Sequence, residues 1–130
     1  MTPPDPPAPG RNGRPPSRHT LRQRLERTAA LYLRDCYARK TAARSDEYAQ
    51  QVELTPQYLG RRAADILGMS LRDFLRTRQL RHAQHLLRTT SYSTLDIALM
   101  SAFGSRHAFY RAFKNAYGMT PGQYRKQVLK

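Results

Sequence analysis

The sequence is poor in several features that define common classes of protein. It has one cysteine, Cys36, so no intramolecular disulfide can form and a reducing cytoplasm is the expected setting. No apolar run approaches the roughly 20 residues needed to cross a bilayer, and the N-terminus lacks the hydrophobic block of a signal peptide. No stretch shows the alternating pattern of a β-strand. These absences predict a soluble, internal protein with an all-α fold.

Signatures of catalysis are also missing. The sequence has no glycine-rich phosphate loop after a strand, and it offers no convincing pair of nucleophile and base. His82 and His85 are three residues apart in a helical stretch, but no nearby cysteine or carboxylate completes a metal site. An exposed polar helix face is therefore the favoured interpretation of these two histidines. We expect no enzymatic activity, no cofactor and no metal.

Acidic residues are absent from positions 97–130, which carry six basic residues: Arg106, Arg111, Lys114, Arg125, Lys126 and Lys130. The 130-residue chain has a formal net charge of +14, and 39% of its residues are hydrophobic. This hydrophobic content suffices for one modest core, or for two small cores that share a long element. The charge favours a polyanionic partner, with nucleic acid ahead of an anionic membrane surface.

Residues 1–18 hold seven of the nine prolines together with Arg11, Arg14 and Arg18. Almost nothing in this segment is apolar, so the pattern predicts a disordered tail. Its arginines could add weak attraction to phosphates that is independent of base sequence. A linker left over from a longer protein is an equally good interpretation.

Helix periodicity and capping signals divide the rest of the chain into seven helices. Four serines and two threonines are placed to cap helix starts: Ser45, Thr55, Ser70, Ser93, Ser105 and Thr120. The predicted helices cover Leu21 to about Lys40, 46–52, 56–67, 71–89, a short stretch that begins after Ser93, 105–117, and a last stretch that begins at Pro121.

The stretch 105–117 has the clearest division into two faces. Phe109, Phe113 and the pair Ala116/Tyr117 recur at helical spacing and predict a buried face. The opposite face is basic and aromatic, and it consists of Arg106, His107, Tyr110, Arg111 and Lys114. Gly118 is placed to end the helix in a left-handed turn. This helix offers its polar face to a partner.

A shift of the sequence by fifty positions reveals a second copy of the same unit. Caps align with caps and core residues with core residues: Thr55 with Ser105, Leu59 with Phe109, Arg61 with Arg111, Ala63 with Phe113, Leu67 with Tyr117, Gly68 with Gly118, Met69 with Met119, and Ser70 with Thr120. A short helix, a turn and a second helix with a basic face form a helix-turn-helix, whose second helix enters the major groove. The predicted helix 71–89 would span about 28 Å, close to the roughly 34 Å between successive major-groove faces.

The chain resembles the AraC/XylS family of bacterial transcription regulators over roughly residues 28–127. The resemblance is carried by residues of the second unit, namely Ile97, Ala98, Phe103, Ser105, Phe109, Arg111, Phe113, Lys114, Tyr117, Gly118, Thr120, Pro121, Tyr124 and Arg125. It departs from the family pattern at Ala102, where glycine is usual, and at Ala63, where a bulky residue is usual. Gly60 removes a side chain from the first reading helix, and Gln79 stands where arginine is common. The first unit is expected to be the weaker reader.

The resemblance implies which side chains face DNA. Six are expected at base edges: Gln57, Arg61, Arg106, His107, Tyr110 and Arg111. Five are expected at phosphates: Thr55, Tyr58, Arg62, Ser105 and Lys114. Arginine can bind guanine and glutamine can bind adenine through two hydrogen bonds. Tyr110 could instead cover the edge of the core.

The sequence therefore predicts a tail at 1–18, a first helix-turn-helix subdomain at 19–70, a connecting helix at 71–89 and a second subdomain at 90–130. The expected function is sequence-specific binding of double-stranded DNA in a bacterial cytoplasm, in association with the nucleoid, with RNA polymerase as a candidate partner. A small-molecule effector is not expected within this chain, because a separate ligand-binding domain has no room. The chain acts alone as a monomer or is the DNA-binding portion of a larger regulator. Alternative functions are a basic helical RNA-binding protein and a protein-interaction module derived from the same fold.

Overall fold

The computed structural model describes residues 18–53 and 56–129, without the side chains of 18–19 and 56–60. This part of the chain forms seven α-helices and contains no strand, which confirms the predicted all-α class. The helices are α1 (Arg18–Arg39), α2 (Ser45–Val52), α3 (Pro56–Leu67), α4 (Leu71–Thr89), α5 (Thr94–Met100), α6 (Arg106–Tyr117) and α7 (Pro121–Val128). The bounds of α4 agree with those predicted from the sequence.

Polar side chains cap the helix starts largely where the sequence indicates. The Ser70 hydroxyl accepts a hydrogen bond from the Asp73 N–H at 3.1 Å, and Ser93 accepts one from Asp96 at 3.1 Å. Thr120 and Gln123 form a reciprocal capping box at the start of α7. The prediction for Ser45 is wrong, because α2 begins at Ser45 itself and Arg44 occupies the cap position without a side-chain hydrogen bond. Thr55, the predicted cap of α3, lies outside the described residues.

The chain divides into two compact units, and each unit takes two separate stretches of sequence. The first consists of the described part of Met1–Tyr32 together with Arg44–Leu75, and the second of Leu33–Ala43 together with Arg76–Lys130. Helices α1 and α4 therefore each contribute residues to both units. This composition differs from the linear boundaries 19–70, 71–89 and 90–130 drawn from the sequence, because a helix that packs at both of its ends belongs to two cores.

The first unit is held together by an apolar core and by two buried tyrosines. The core residues are Leu21, Leu25, Ala29, Tyr32, Tyr48, Val52, Ala63, Ile66, Phe74 and Leu75. Each tyrosine hydroxyl has a hydrogen-bond partner, as a buried phenol requires. The Tyr48 hydroxyl donates to the Leu25 carbonyl at 2.6 Å. The Tyr32 hydroxyl donates to Glu47 Oε1 at 2.7 Å and accepts from the Arg44 N–H at 2.8 Å, which ties α1 to the start of α2.

The second unit has a continuous core formed by α4, α5 and α6, whose buried residues are Leu80, Ala83, Leu86, Leu87, Ile97, Ala98, Phe103, Phe109, Ala112 and Phe113. The aromatic rings pack in tilted or edge-to-face pairs, with centroids 5.1 Å apart for Phe103 and Phe109 and 5.7 Å apart for Phe109 and Phe113. Cys36 of α1 is buried as well.

Candidate nucleic-acid interface

Helix α6 begins at a capping serine and ends at a left-handed glycine. The Ser105 backbone is extended (φ −159°) and its hydroxyl accepts from the Ala108 N–H at 3.1 Å. At the other end Gly118 adopts the left-handed conformation (φ 75°), and its N–H donates to the Lys114 carbonyl at 2.8 Å. Both features follow the predicted cap and the predicted glycine turn.

One face of α6 is fixed in the core. Phe109 and Phe113 are fully buried, and Ala112 is buried beside them. Tyr117 is partly buried and packs edge-on against Phe113, with ring centroids 4.7 Å apart. The sequence had placed Ala116 on this face together with Tyr117, but Ala116 is exposed, and Ala112, three residues after Phe109, is buried there instead.

The opposite side of α6 forms what we call the α6 reading face, which consists of Arg106, His107, Tyr110, Arg111 and Lys114. Arg106, His107, Arg111 and Lys114 are all exposed. Positions 97–130 contain no acidic residue. The face is therefore a cationic surface on a helix that cannot rotate, because its other side is held in the core.

Tyr110 has a mixed environment within the α6 reading face. It is partly buried, its ring contacts Phe109 edge-on, and its hydroxyl donates to the Thr94 Oγ1 at 3.4 Å. The Arg106 guanidinium carbon lies 5.9 Å from the centroid of its ring, a cation–π distance. Tyr110 thus covers the edge of the core, and its ring also lies within cation–π distance of Arg106.

The corresponding helix of the first unit, α3, is less uniformly basic. Arg61 is exposed and Arg62 is partly buried, whereas Thr55 and the side chains of Gln57 and Tyr58 lie outside the described residues. Asp65 is exposed one turn after Arg61, and the position fifty residues later is the neutral Asn115. The repeat alignment could have revealed this carboxylate, because it compares the two positions directly. The exposed face of α3 therefore carries a negative charge that α6 lacks at the matching position.

Helix α6 starts from a turn in which the chain leaves α5. The Phe103 N–H donates to the Ala98 carbonyl at 3.0 Å and the Ala102 N–H donates to the Leu99 carbonyl at 3.2 Å. This pair of bonds is a Schellman motif, in which glycine usually takes the left-handed position. Here Ala102 occupies that position with φ 64°, and Gly104 follows with φ 83°. The alanine identified in the sequence as a departure from the family does adopt the left-handed conformation.

The carbonyl groups of this turn are bound by Gln79 of α4. The side chain of Gln79 is 5% exposed, and its Nε2 donates to the Ser101 carbonyl at 3.2 Å and to the Ala102 carbonyl at 2.8 Å. The sequence marked Gln79 as unusual for its position but did not indicate this role. Only the fold brings position 79 next to positions 101 and 102.

Not every basic residue of the second unit is available to a partner. Arg125 donates to the Leu87 carbonyl at 3.2 Å, to the Thr90 carbonyl at 3.1 Å and to the Tyr92 carbonyl at 2.7 Å. Its guanidinium therefore caps the C-terminal end of α4, where the helix dipole favours a cation.

His82 is not on an exposed polar face, as the sequence had suggested. Its ring stacks on the Tyr37 ring with centroids 4.0 Å apart, and burial lowers the pKa of His82 below the usual 6.5, with a further contribution from the nearby His85. His85 itself is exposed. No group of three potential metal-ligand side chains occurs within the described residues. None of the helices described is both long and apolar enough to cross a membrane.

Comparison with known proteins identifies the family. A model described as a helix-turn-helix domain matches residues 48–127, which is more than half of the chain. The chain belongs to the AraC-type helix-turn-helix family. The match includes α3, α4, α5 and α6 in full, and with them both copies of the repeated unit.

Two curated relatives show the extent of the similarity. The chain is 34% identical over 84 residues to the transposon Tn10 TetD protein of Escherichia coli, a match that covers 65% of this chain and 61% of that protein. It is 36% identical over 80 residues to the HTH-type transcriptional activator AarP of Providencia stuartii, covering 62% of this chain and 59% of AarP. The chain thus matches less than two thirds of the length of either relative.

A solved structure shares the architecture. The DNA-binding domain of AdpA, a global transcriptional factor solved in complex with a target DNA, superposes with a TM-score of 0.70 at 24% identity. The superposition covers 79% of this chain and 90% of the AdpA domain. At this identity the likeness establishes the fold, and with it the arrangement of helices into two helix-turn-helix motifs.

Proposed function

We propose that this chain binds double-stranded DNA in a sequence-specific manner and regulates transcription. The α6 reading face carries the proposal, because it offers exposed cations on a helix that is locked on its other side. Arginine side chains held in this way can form paired hydrogen bonds with guanine, each worth about 1–3 kcal/mol of discrimination between bases. Membership of the AraC-type family supports the proposal, since regulators and activators of transcription are among its members.

Base reading is assigned to Arg106, His107, Tyr110 and Arg111 of α6 and to Gln57 and Arg61 of α3. The hydroxyl of Tyr110 lies near Thr94. Phosphate binding is assigned to Thr55, Tyr58, Arg62, Ser105 and Lys114. Helix starts suit phosphates because their N–H groups and the helix dipole both attract anions. Arg111 is the best-supported reader, since Arg61 repeats it fifty positions earlier.

The repeated unit supports a site with two reading segments about one helical turn of DNA apart. Because the two copies differ in sequence, the two segments are expected to differ as well, and the whole site to lack two-fold symmetry. A regulator of this kind would act in the bacterial cytoplasm, in association with the nucleoid, and RNA polymerase is the partner that we propose for its action on transcription.

Selection of bound duplexes from a random pool tests the proposal directly. The expected result is one asymmetric consensus with two informative segments. An RNA pool of equal complexity serves as the comparison, and preference for RNA would contradict the proposal. Failure to bind either pool would favour a protein-interaction module.

Substitutions on α6 separate base reading from phosphate binding. Arg111→Ala should reduce the preference for the selected duplex over a shuffled duplex by about 1–3 kcal/mol. Lys114→Ala should weaken binding to both duplexes equally and lower the slope of log K against log salt concentration by about 1. Lys126→Ala removes the same charge from α7 and serves as the control for net charge. An equal loss on both duplexes from Arg111→Ala would contradict its assignment to bases.

A further inference from the structure

Gln79 is a buried residue whose side-chain amide binds a turn that is distant in the sequence. It lies on α4, it is 5% exposed, and its Nε2 donates to the carbonyls of Ser101 and Ala102 in the turn between α5 and α6. Both partners are acceptors only, so the nitrogen of the amide must face the turn. One side chain therefore holds two successive peptide groups of a segment 22 and 23 residues away in sequence.

The turn that Gln79 holds contains the residue least suited to its backbone conformation. Ala102 has φ 64°, a left-handed conformation that strains an L-residue and that glycine adopts freely. Ala102 is also 1% exposed, so its methyl group is enclosed rather than directed into solvent. Such strain persists only when the surrounding contacts fix the conformation.

A second contact reaches the same turn from the segment between α1 and α2. The Ala43 N–H donates to the Ala102 carbonyl at 2.9 Å, so this one carbonyl oxygen accepts from both Ala43 and Gln79. Gly104 lies against Ala42, because a Cβ atom added at Gly104 would be 2.9 Å from the Ala42 Cβ. The turn is thus held on two sides, by an amide side chain and by the backbone of another connection.

The direction of α6 depends on this turn. Ser105, the cap residue of α6, is the fourth residue after Ser101, and Phe103 anchors the intervening segment in the core. A rotation at Ala102 would be transmitted to the helix start that carries Arg106 and His107. A displacement of about 1 Å is enough to lose hydrogen bonds to base edges, whose donor–acceptor distances span only about 0.5 Å.

We propose that Gln79 is a positioning residue of the second helix-turn-helix, which fixes the strained Ala102 turn and so aims α6 at the bases. This inference rests on the proposed function. It means that a buried residue of α4 controls the base-sequence preference of α6, although that residue lies outside the α6 reading face. A residue that merely fills the core would affect stability and leave that preference unchanged.

The test uses Gln79→Met, which keeps the length of the side chain and removes its donors. Gln84→Met is the matched control, since Gln84 lies on the same helix and is partly exposed. Binding is measured to the duplex selected by the wild-type chain and to a shuffled duplex, at a temperature where circular dichroism shows every variant folded. Gln79→Met should lower the ratio of the two affinities by about tenfold, the equivalent of one base contact, while binding to the shuffled duplex stays the same. An unchanged ratio in a folded Gln79→Met protein would overturn the proposal.

The same pair of variants in an Ala102→Gly background separates positioning from core stability. Glycine adopts the left-handed conformation without strain, so the turn should need the amide less. Gln79→Met should then cost at most about threefold in the affinity ratio, because the two positions are coupled. An equal loss in the wild-type background and in the Ala102→Gly background would overturn the inference.

Amide hydrogen exchange distinguishes failure of this inference from failure of the proposed function. If the wild-type chain selects no duplex, the proposed function fails, and the exchange rates still test the role of Gln79. Exchange of the Ala43, Ala108 and Phe109 N–H groups should be faster in Gln79→Met than in Gln84→Met. Equal rates in the two variants would show that Gln79 does not hold the turn.

Discussion

His82 illustrates how burial changes the chemistry of a single residue. Its ring stacks on Tyr37 at 4.0 Å, and desolvation lowers the pKa of the imidazole below 6.5. A group whose folded pKa is lower than its unfolded pKa binds fewer protons in the folded state. Folding stability is therefore full above the unfolded pKa and falls as the pH drops through about 6.5 towards the folded value.

The free energy of unfolding should accordingly decrease as the pH falls below about 6.5, and His82→Phe should reduce this decrease. Phenylalanine retains the stack on Tyr37 but cannot be protonated. Urea unfolding at a series of pH values measures the effect. His85→Phe is the control, since His85 is exposed, and an equal flattening of the pH profile by both variants would count against burial of His82 as the cause.

Arg125 shows that a basic residue in a charged sequence can have a structural role. Its guanidinium donates to three carbonyl groups at and beyond the C-terminal end of α4. Sequence reasoning placed it among the charges that attract nucleic acid, and a charge occupied in this way contributes less to a binding surface than a free one.

At the scale of the element, α7 is joined to α4 through Arg125. Arg125→Met keeps the aliphatic stem and removes every donor, so we expect the free energy of unfolding to fall by about 2 kcal/mol. The value allows for the partial exposure of the side chain. Thermal or chemical unfolding measures it, with Lys126→Met as the exposed neighbour that should change stability by less than about 0.5 kcal/mol. Equal effects of the two substitutions would mean that the three hydrogen bonds contribute nothing.

The start of α6 has a structural and a proposed functional role that one substitution can separate. Aspartate caps helices as well as serine does and interacts favourably with the helix dipole, so Ser105→Asp should leave the thermal midpoint unchanged or slightly higher. A phosphate at this helix start would be repelled by the new carboxylate, and affinity for all duplexes should fall about tenfold or more. Ser105→Asn, a neutral cap, is the control. Unchanged affinity in Ser105→Asp would exclude a phosphate at this position.

At the scale of the whole molecule, the net charge of +14 adds attraction to any polyanion. Arg11 and Arg14 contribute to it from the N-terminal segment. Deletion of residues 1–17 should weaken binding to selected and shuffled duplexes alike and lower the salt slope by about 1–2. Fluorescence anisotropy over a range of salt concentrations measures both effects. A change in base preference on deletion would instead assign a reading role to this segment.

Local patterns along the chain were enough to define the helices and the chemistry of the α6 reading face. Periodicity, caps and glycine turns depend on residues that are close in the sequence. The bounds of α4, and the start of α6 at Ser105 and its end at Gly118, could therefore be predicted from the local sequence. The repeat of fifty positions then identified two copies of one unit and paired Arg61 with Arg111. The roles of these arginines at bases stay predictions.

Contacts between distant groups required the folded chain. Local signals could not place Gln79 beside the carbonyls of Ser101 and Ala102, because that contact depends on how α4 packs against the turn. For the same reason they could not show that Arg125 caps α4 or that His82 is covered by Tyr37. Ser45 failed as a predicted cap because α2 starts one residue earlier, where Tyr32 binds the Arg44 N–H and fixes the chain. Side-chain contacts between residues that are distant in the sequence thus determined the roles of Gln79, Arg125 and His82, which local sequence patterns could not predict.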